Sequence, residues 1–300
     1  MIEINDVTKC FNDMKALDHV TAQIKEGSVY GVVGTNGAGK STLLRLLAGI
    51  LKPEEGQVKV DNMEIFENVR AKERICYIAD TPYYFANARV IDMMNYYKIV
   101  YPDFEEKRFV ELCGKFNLDM NRKLAAFSKG MKKQVSVLLG ICAGTKYLLC
   151  DETFDGLDPV IRQAVKSIFI DEVMKRDFTP VIASHNLREL EDICDHVGLL
   201  HKGGILFSRD MEDMKADIHK VQYVIGNEQQ EQRMLGELDV MSRETRGTLS
   251  CITVRGSKEE LIMAIEARKP LFYEILPLSL EEIFISETEV IGYDIKDIIS

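Results

Sequence analysis

Residues 34–42 read Gly34-Thr35-Asn36-Gly37-Ala38-Gly39-Lys40-Ser41-Thr42, which fits the phosphate-binding pattern GxxxxGK[ST]. The apolar run before it, residues 28–34, predicts a buried strand, and residues 41–50 after it are rich in helix-forming side chains. Glycines let the main chain of such a loop curl so that its N–H groups point at an anion, and the dipole of the next helix adds to the attraction. A glycine-rich turn without a ligand does not account for this strand–loop–helix setting. The stretch therefore predicts an α/β fold of the P-loop nucleotide-hydrolase class.

The side chains at the end of this loop have separate predicted roles. Lys40 would reach the β- and γ-phosphates of a nucleotide, the Ser41 hydroxyl would ligate Mg²⁺, and Thr42 would add a further phosphate contact. The rest of the loop would contribute main-chain contacts, from Gly34, Thr35, Asn36, Gly37, Ala38 and Gly39. A nucleoside triphosphate and Mg²⁺ are therefore the expected ligands.

Two carboxylates follow a second apolar run. Leu148-Leu149-Cys150 leads into Asp151 and Glu152 at the C-terminal end of a predicted strand, where ligands gather in open α/β sheets. We expect Asp151 to hold Mg²⁺ through water and Glu152 to orient or deprotonate the attacking water. Alone, such a pair is more often the start of a solvated loop, so its functional interpretation depends on the phosphate loop.

The composition limits the classes of function. The chain has 300 residues, of which 46% are hydrophobic and 29% charged, which is enough for one large core and a smaller second unit. Its formal net charge is -10, so it offers nucleic-acid backbones no general attraction, and we expect no nucleic-acid partner. The seven cysteines are scattered, and their spacing does not suggest zinc.

The hydrophobic segments predict a cytoplasmic protein. The first residues lack the basic region and long apolar stretch of a secretory signal. The longest apolar stretch, residues 135–144, has about half the length that a membrane-crossing helix needs. We expect any bilayer-spanning part to belong to another chain.

The pattern along the chain predicts two domains, 1–208 and 209–300. Apolar side chains recur at helical spacing from about residue 86 to 144, which predicts a helical subdomain inside the first domain. The second domain is predicted to be a small α/β unit. Two capping boxes indicate the starts of its helices, Ser257 with Glu260 and Ser279 with Glu282.

Further motifs identify a family resemblance. Phe127-Ser128-Lys129-Gly130-Met131 resembles the LSGGQ signature of ATP-binding cassette (ABC) ATPases, in a form similar to that of ABC-2-type drug and antibiotic exporter subunits. The segment Asp155-Gly156-Leu157-Asp158 resembles the D-loop of the family, and His185 resembles its switch histidine. Phe11 matches the aromatic position that stacks on adenine. The resemblance covers roughly residues 1–208, with the motifs in the family's order.

The resemblance implies an ATP-hydrolysing subunit of an ABC transporter that powers export through a separate membrane permease subunit. Such a chain would be peripheral on the inner face of the membrane. Two ATPase chains, identical or different, would face each other head to tail, so that each ATP lies between one phosphate loop and residues 128–130 of the second chain. Asp158 would also contact the nucleotide. Glu152, His185 and Lys40 would be the catalytic groups, with ATP and Mg²⁺ as cofactors.

One position departs from the family pattern. Asp80 stands where the family usually has the glutamine of the Q-loop, and its carboxylate is predicted to bind the metal more tightly and to repel phosphate. The aromatic residues after it, Tyr83, Tyr84 and Phe85, either contact the permease or pack within the helical subdomain.

Two other functions follow from weaker readings of the same residues. A nucleotide-gated binding or assembly protein that hydrolyses ATP poorly is suggested by Asp80, Lys129 and Met131. A soluble ABC protein of translation or DNA repair is disfavoured, because the chain has one cassette, no long coiled coil and an acidic balance.

Overall fold

The structure is a computed structural model that describes residues 1–290 of the chain. Residues 291–300, the end of the predicted C-terminal domain, lie outside the described part. The chain divides into two compact units, one of residues Met1–Ser208 and one that begins at Arg209. Within residues 1–290, none of the helices has both the length and the apolar character that a membrane crossing requires.

Strands and helices alternate along the first unit. The strands are β1 (Ile2–Phe11), β2 (Met14–Ile24), β3 (Tyr30–Val33), β4 (Glu55–Val60), β5 (Met63–Glu64), β6 (Ile75–Ile78), β7 (Tyr147–Asp151), β8 (Thr179–Ser184), β9 (His196–His201) and β10 (Gly204–Asp210). The helices are α1 (Lys40–Leu47), α2 (Val69–Lys72), α3 (Val90–Val100), α4 (Glu106–Lys115), α5 (Lys129–Ile141), α6 (Pro159–Lys175) and α7 (Leu187–Glu191).

A six-stranded sheet with the order β10-β9-β3-β8-β7-β6 forms the centre of the first unit. The pairs β3–β8, β3–β9, β6–β7 and β7–β8 are parallel. Every residue of β3, β7 and β8 is buried, as expected for parallel strands that are covered on both faces. A second, antiparallel sheet with the order β2-β1-β4-β5 shares an apolar core with α1.

The parallel sheet brings four loops to one edge. Strands β3, β6, β7 and β8 run in the same direction, so the segments that follow them start side by side. These segments begin with Gly34, Ala79, Glu152 and His185, respectively. Ligands of open α/β sheets bind at this edge, outside the carboxyl ends of the strands. The fold therefore gathers the predicted site residues from distant parts of the sequence.

The helical segment between β6 and β7 contains α3, α4, a short 3₁₀ turn (Leu124–Ala126) and α5. Helices α3 and α4 bury the apolar faces that their spacing predicts, namely Val90, Met93 and Met94, and Phe109, Leu112 and Cys113. Helix α5 is buried along most of its length. Helix α5 begins beside the phosphate-binding edge and continues into the interior. Its side chains can therefore reach the site from the interior of the protein.

The second unit has its own antiparallel sheet and core. Its elements are α8 (Met211–Asp217), β11 (Ile218–Val224), α9 (Glu228–Glu237), β12 (Asp239–Arg246), β13 (Leu249–Arg255), α10 (Lys258–Glu266), β14 (Phe272–Leu276) and α11 (Leu280–Val290). The order β12-β13-β11-β14 and the chain path from β11 to β14 form a split β-α-β arrangement. The core is made by side chains of both layers, such as Val221, Tyr223, Ile252, Leu261 and Ile265.

Both predicted capping boxes are confirmed in this unit. Ser257 Oγ accepts a hydrogen bond from Glu260 N at 3.2 Å, and Ser257 N donates to Glu260 Oε2 at 3.4 Å. The same exchange joins Ser279 and Glu282, at 3.2 and 3.0 Å. Each box satisfies main-chain donors that the first turn of a helix would otherwise leave unpaired.

Candidate functional site

The phosphate loop lies between β3 and α1, as its sequence predicts. Helix α1 begins at Lys40 after Gly39, and no side chain caps it, so the N–H groups of its first turn are free of a side-chain acceptor. Gly39 has φ 107, and a Cβ there would lie 2.5 Å from Ala16 O. Glycine is therefore required both by the left-handed main chain and by the close approach of β2. An uncapped helix start behind a tight loop is suited to bind an anion.

Lys40 lies within the curl of this loop. Its ammonium donates to Gly34 O at 2.8 Å and to Thr35 O at 3.2 Å, and lies 3.2 Å from Glu152 Oε1. The side chain is buried, so these acceptors take the place of water around the charge. A phosphate group that enters the loop would offer the same ammonium a stronger, charged acceptor.

Ser41 and Asp151 form an oxygen-rich pair beside the loop. Ser41 Oγ donates to Asp151 Oδ1 at 2.9 Å, and the Tyr77 hydroxyl donates to Asp151 Oδ2 at 3.1 Å. Burial raises the pKa of Asp151, and the hydrogen bonds from Ser41 and Tyr77 act in the opposite direction. Burial, together with the Asp151 charge, also raises the pKa of Tyr77 to about 12. The hydroxyl of Tyr77 therefore stays a hydrogen-bond donor at neutral pH.

Glu152 lies between two of the other predicted catalytic groups. Its Oε2 is 2.8 Å from His185 Nδ1, and its Oε1 is 3.2 Å from Lys40 Nζ. Its main chain has φ 47, in the left-handed region, which costs a side-chain-bearing residue on the order of 1–3 kcal/mol. Glu152 N donates to Ala183 O at 3.0 Å, which anchors this conformation to β8. The structure thus brings the three predicted catalytic residues into direct contact.

A cavity of about 410 Å³ opens next to these contacts. Many of the predicted nucleotide-contacting residues line it, namely Phe11, Asn36, Gly37, Gly39, Lys40, Ser41, Thr42, Asp80 and Glu152. Phe11 is partly exposed, and Lys9 Nζ lies 5.5 Å from the centre of its ring. The cavity is thus lined both by an aromatic side chain and by the phosphate loop.

Asp80 pairs with a lysine that no motif of the sequence indicates. Its Oδ1 accepts a hydrogen bond at 3.0 Å from Lys133 Nζ, which belongs to the buried part of α5. Lys133 was missed because a lysine in an amphipathic helix normally indicates a solvated face. Tyr77 was also missed, because a tyrosine in an apolar strand usually serves the core. The alternation of β6 offered no signal for a contact with Asp151.

The predicted residues of the signature and D-loop segments, Ser128, Lys129, Gly130 and Asp158, do not line this cavity. Ser128 and Asp158 are helix caps: Ser128 Oγ accepts from Met131 N at 3.2 Å, and Asp158 Oδ1 accepts from Ile161 N at 3.0 Å. Lys129 Nζ is 3.6 Å from Asp155 Oδ2. At Gly130, a Cβ would lie 2.9 Å from Gly156 O, so the signature segment and the D-loop segment are in main-chain contact. These residues form a second cluster on the same chain.

The aromatic residues after Asp80, Tyr83, Tyr84 and Phe85, all line one groove of about 570 Å³, but they differ in burial. Tyr84 is partly buried, and its hydroxyl donates to Lys132 O at 2.6 Å, so it packs against α5. Tyr83 and Phe85 are exposed. Phe85 also contacts Tyr96 of α3, with ring centres 5.0 Å apart. Both interpretations of this segment therefore have side chains that fit them.

For Mg²⁺, residues 1–290 offer single oxygen ligands and no preformed cluster of metal-binding side chains. No group of three or more His, Cys, Asp or Glu side chains within residues 1–290 is arranged to hold a metal. Mg²⁺ is commonly held by one or two protein oxygens, with water and phosphate completing its shell. The adjacent oxygens of Ser41 and Asp151 fit that mode of binding.

Comparisons with known proteins agree with this geometry. A family model described as ABC transporter matches residues 17–155. The ABC transporter ATP-binding protein YtrB of Bacillus subtilis (strain 168) is 29% identical over 290 residues, which cover 96% of this chain and 98% of that protein. The bacitracin transport ATP-binding protein BcrA of Bacillus licheniformis is 31% identical over 219 residues, which cover 72% of this chain and 71% of that protein.

Solved structures share the fold of the first unit. The structure of an ATP binding subunit of an ABC transporter has a TM-score of 0.67 and 24% identity, covering 72% of this chain and 92% of that one. A dimeric ATP-binding cassette, MJ0796 bound to ADP and Pi, has a TM-score of 0.64 and 20% identity, covering 70% of this chain and 99% of that one. The α/β fold predicted from the phosphate loop is confirmed by these similarities.

Proposed function

Because the chain belongs to the ABC transporter family, as an ATP-binding and ATP-hydrolysing subunit, we propose that Lys40, Ser41, Asp151, Glu152 and His185 carry out the hydrolysis. The observation that carries this proposal is the direct contact of Glu152 with both Lys40 and His185 beside an uncapped helix start. Phosphoryl transfer needs little covalent chemistry from the protein, and depends on positioning and on charge stabilisation. This cluster offers both.

The side chains take separate parts in the reaction. The main-chain N–H groups of the phosphate loop and the start of α1 bind the phosphates, and Lys40 exchanges its carbonyl acceptors for phosphate oxygens. Ser41 and Asp151 would hold Mg²⁺, which supplies neutralisation of phosphate charge when bound. Glu152 orients a water for in-line attack and accepts its proton, while His185 fixes the direction of that carboxylate.

The second cluster is proposed to complete the nucleotide site of another ATPase chain. Ser128, Lys129, Gly130 and Asp158 line no part of the cavity of their own chain, and members of the family work as dimers. The N-terminus of α5, which Ser128 caps, suits the approach of a phosphate group from the second chain. Phe11 is proposed to stack on the adenine ring of the ATP bound in its own cavity.

The membrane subunit is proposed to dock on the groove lined by Tyr83 and Phe85. Exposed aromatic side chains at the border of a groove are common at protein–protein contacts. The FSKGM form of the signature and the similarity to a bacitracin transport protein support export of an antibiotic-like compound. The subunit would then act at the inner face of the membrane.

The variant Glu152→Gln tests the catalytic assignment. It should still bind ATP and should form a persistent dimer with it, while hydrolysis falls by at least about a hundredfold, because the amide cannot accept a proton. Steady-state phosphate release measures hydrolysis, calorimetric ATP titration with and without Mg²⁺ measures binding, and size-exclusion chromatography with ATP measures dimerisation. The control is Glu106→Gln, which removes an exposed carboxylate from an ion pair with Lys98 on the helical segment.

Two results would decide against this assignment. Hydrolysis that survives in Glu152→Gln would exclude Glu152 as the base. A wild-type protein that binds ATP and dimerises without turnover would favour a nucleotide-gated assembly function instead.

A further inference from the structure

Helix α5 places a buried ammonium between two loops of the site, the loop after β6 and the loop between β7 and α6. Lys133 is 2% exposed, and its Nζ lies 2.7 Å from Glu152 O, 3.0 Å from Asp80 Oδ1 and 3.8 Å from Asp155 Oδ2. A buried charge destabilises a protein unless it has paired and hydrogen-bonded neighbours. Asp80 stands at the Q-loop position, Glu152 is the proposed base, and Asp155 belongs to the D-loop segment. The Lys133 ammonium therefore contacts three of the predicted motifs.

One contact supports the main chain of the proposed base. Glu152 has φ 47, so its two peptide groups must be held in place against the local preference of the chain. Its N–H donates to Ala183 O at 3.0 Å, and its C=O accepts from Lys133 Nζ at 2.7 Å. The residue is therefore fixed on both sides. The direction of the Glu152 carboxylate follows from this main-chain conformation.

The other contact concerns charge inside the cavity. Asp80 is 50% exposed at its side chain and lines the same cavity as Lys40 and Ser41. An unpaired carboxylate there would repel the phosphates of ATP. The ammonium of Lys133, at 3.0 Å, counteracts that repulsion. The departure from the family's glutamine at position 80 is thus matched by a cation on α5.

We propose that Lys133 is a positioning residue for ATP hydrolysis, which fixes the strained main chain of Glu152 and neutralises Asp80. Since α5 begins with the segment that carries Ser128 and Gly130, Lys133 also links the nucleotide cavity of one chain to the segment offered to the other. This inference rests on the proposed role of Glu152 as the base. It adds a group that does not line the nucleotide cavity and acts through residues that do.

The variant Lys133→Met tests both parts of the inference. Without the support of Glu152, kcat should fall on the order of tenfold to a hundredfold. With Asp80 unpaired, the KM for ATP should rise about fivefold. The matched control is Lys166→Met, because Lys166 is 3% exposed and pairs with Asp192 Oδ2 at 3.1 Å, outside the predicted site. It should lose stability and keep both kinetic constants.

Adding Asp80→Gln to Lys133→Met separates charge from support. The double variant has no uncompensated carboxylate, so its KM should return towards the wild-type value, while its kcat stays low. A lysine with a merely structural role would not give this recovery. Should Lys133→Met fail to fold, Lys133→Gln keeps a neutral polar group at the position, and the same pattern of kcat and KM is expected from it.

The outcomes distinguish this inference from the proposed function. Equal kcat losses in the position-133 variants and in Lys166→Met would overturn the inference, as would a KM that does not respond to Asp80→Gln. Absence of hydrolysis in the wild-type protein would instead overturn the proposed function, and the inference with it.

Discussion

Asp151 carries a carboxylate into the interior of the protein. Burial raises its pKa, and the hydrogen bonds from Ser41 and Tyr77 offset that effect only in part. An acid whose pKa is higher in the folded state than in the unfolded state lowers stability as the pH rises past its unfolded value. At neutral pH the nucleotide-free protein is therefore less stable than it would be with a neutral side chain at this position.

The variant Asp151→Asn should show this cost directly. Its free energy of unfolding at pH 7, measured by urea denaturation without nucleotide, should exceed that of the wild type by about 0.5–2 kcal/mol. The difference should shrink as the pH falls below about 4, because the aspartate then becomes protonated in the unfolded chain as well. Mg²⁺-dependent hydrolysis should be lost. A variant that is less stable than the wild type at pH 7 would contradict the assignment.

At the scale of single residues, the sequence predicts the residues that would contact the ligand. It predicts less well the residues that support them from the interior. Lys40, Ser41 and Glu152 stand in motifs whose spacing is fixed by the phosphate and by the ends of the strands. Lys133 and Tyr77 act through Glu152 and Asp151, and such contacts depend on how α5 and β6 pack against β7. That packing is a tertiary property with no local pattern.

At the scale of elements, the helices α4 and α6 are joined by a buried carboxylate. Glu172 of α6 is 1% exposed, forms a charged hydrogen bond with Arg108 of α4, and accepts from Arg176 Nε at 2.7 Å. Burial alone would raise the pKa of Glu172, but the two guanidinium groups hold it below its ordinary value. The stability that these two ion pairs of Glu172 contribute is present above the ordinary pKa of glutamate and is lost as the pH falls below it.

Replacement by Glu172→Gln should lower the free energy of unfolding at pH 7 by about 2–4 kcal/mol, because two partly buried arginines lose their counter-charge. At about pH 4 the effect should be smaller, since the carboxylate is then partly protonated in the unfolded chain. Chemical denaturation at both pH values measures this. Glu111→Gln, which breaks an exposed pair with Lys115, should change stability much less, because solvent screens that pair. Equal effects of the two variants would refute the role of burial.

The boundaries of elements follow the sequence where the period is strong. The helical segment predicted over 86–144 contains α3 to α5. The strand order β12-β13-β11-β14 could not be predicted in the same way. Its central pair, β11 and β13, joins residues 218–223 to residues 250–255, and side-chain packing across the sheet decides such a pairing.

At the scale of the whole molecule, each unit has a separate apolar core. A fragment of residues 1–210 retains β10 in full, including the contact at 2.8 Å between Ser208 Oγ and the buried Tyr30 hydroxyl. We expect this fragment to fold and to bind ATP within about threefold of the full chain, which is well under 1 kcal/mol. Thermal unfolding and calorimetric ATP titration measure both properties.

A shorter fragment, residues 1–203, serves as the control. It lacks β10 and leaves the Tyr30 hydroxyl without its Ser208 partner, so it should unfold at a lower temperature than the fragment 1–210. If the fragment 1–210 were itself unfolded, the first unit would not be independently stable. Comparing ATP-dependent dimerisation of the fragment 1–210 with that of the full chain would show whether the second unit contributes to pairing.

The contact between Gly130 and Gly156 limits which positions of the FSKGM segment can accept a different residue. A side chain at position 130 would need the volume already taken by the Gly156 carbonyl oxygen, whereas the Lys129 side chain is exposed to solvent. The Ser128 hydroxyl caps α5 by accepting a hydrogen bond from Met131 N. Genome searches built on the full LSGGQ string would score a subunit such as this one poorly. A search pattern that requires only a serine and, two positions later, a glycine keeps what the packing demands.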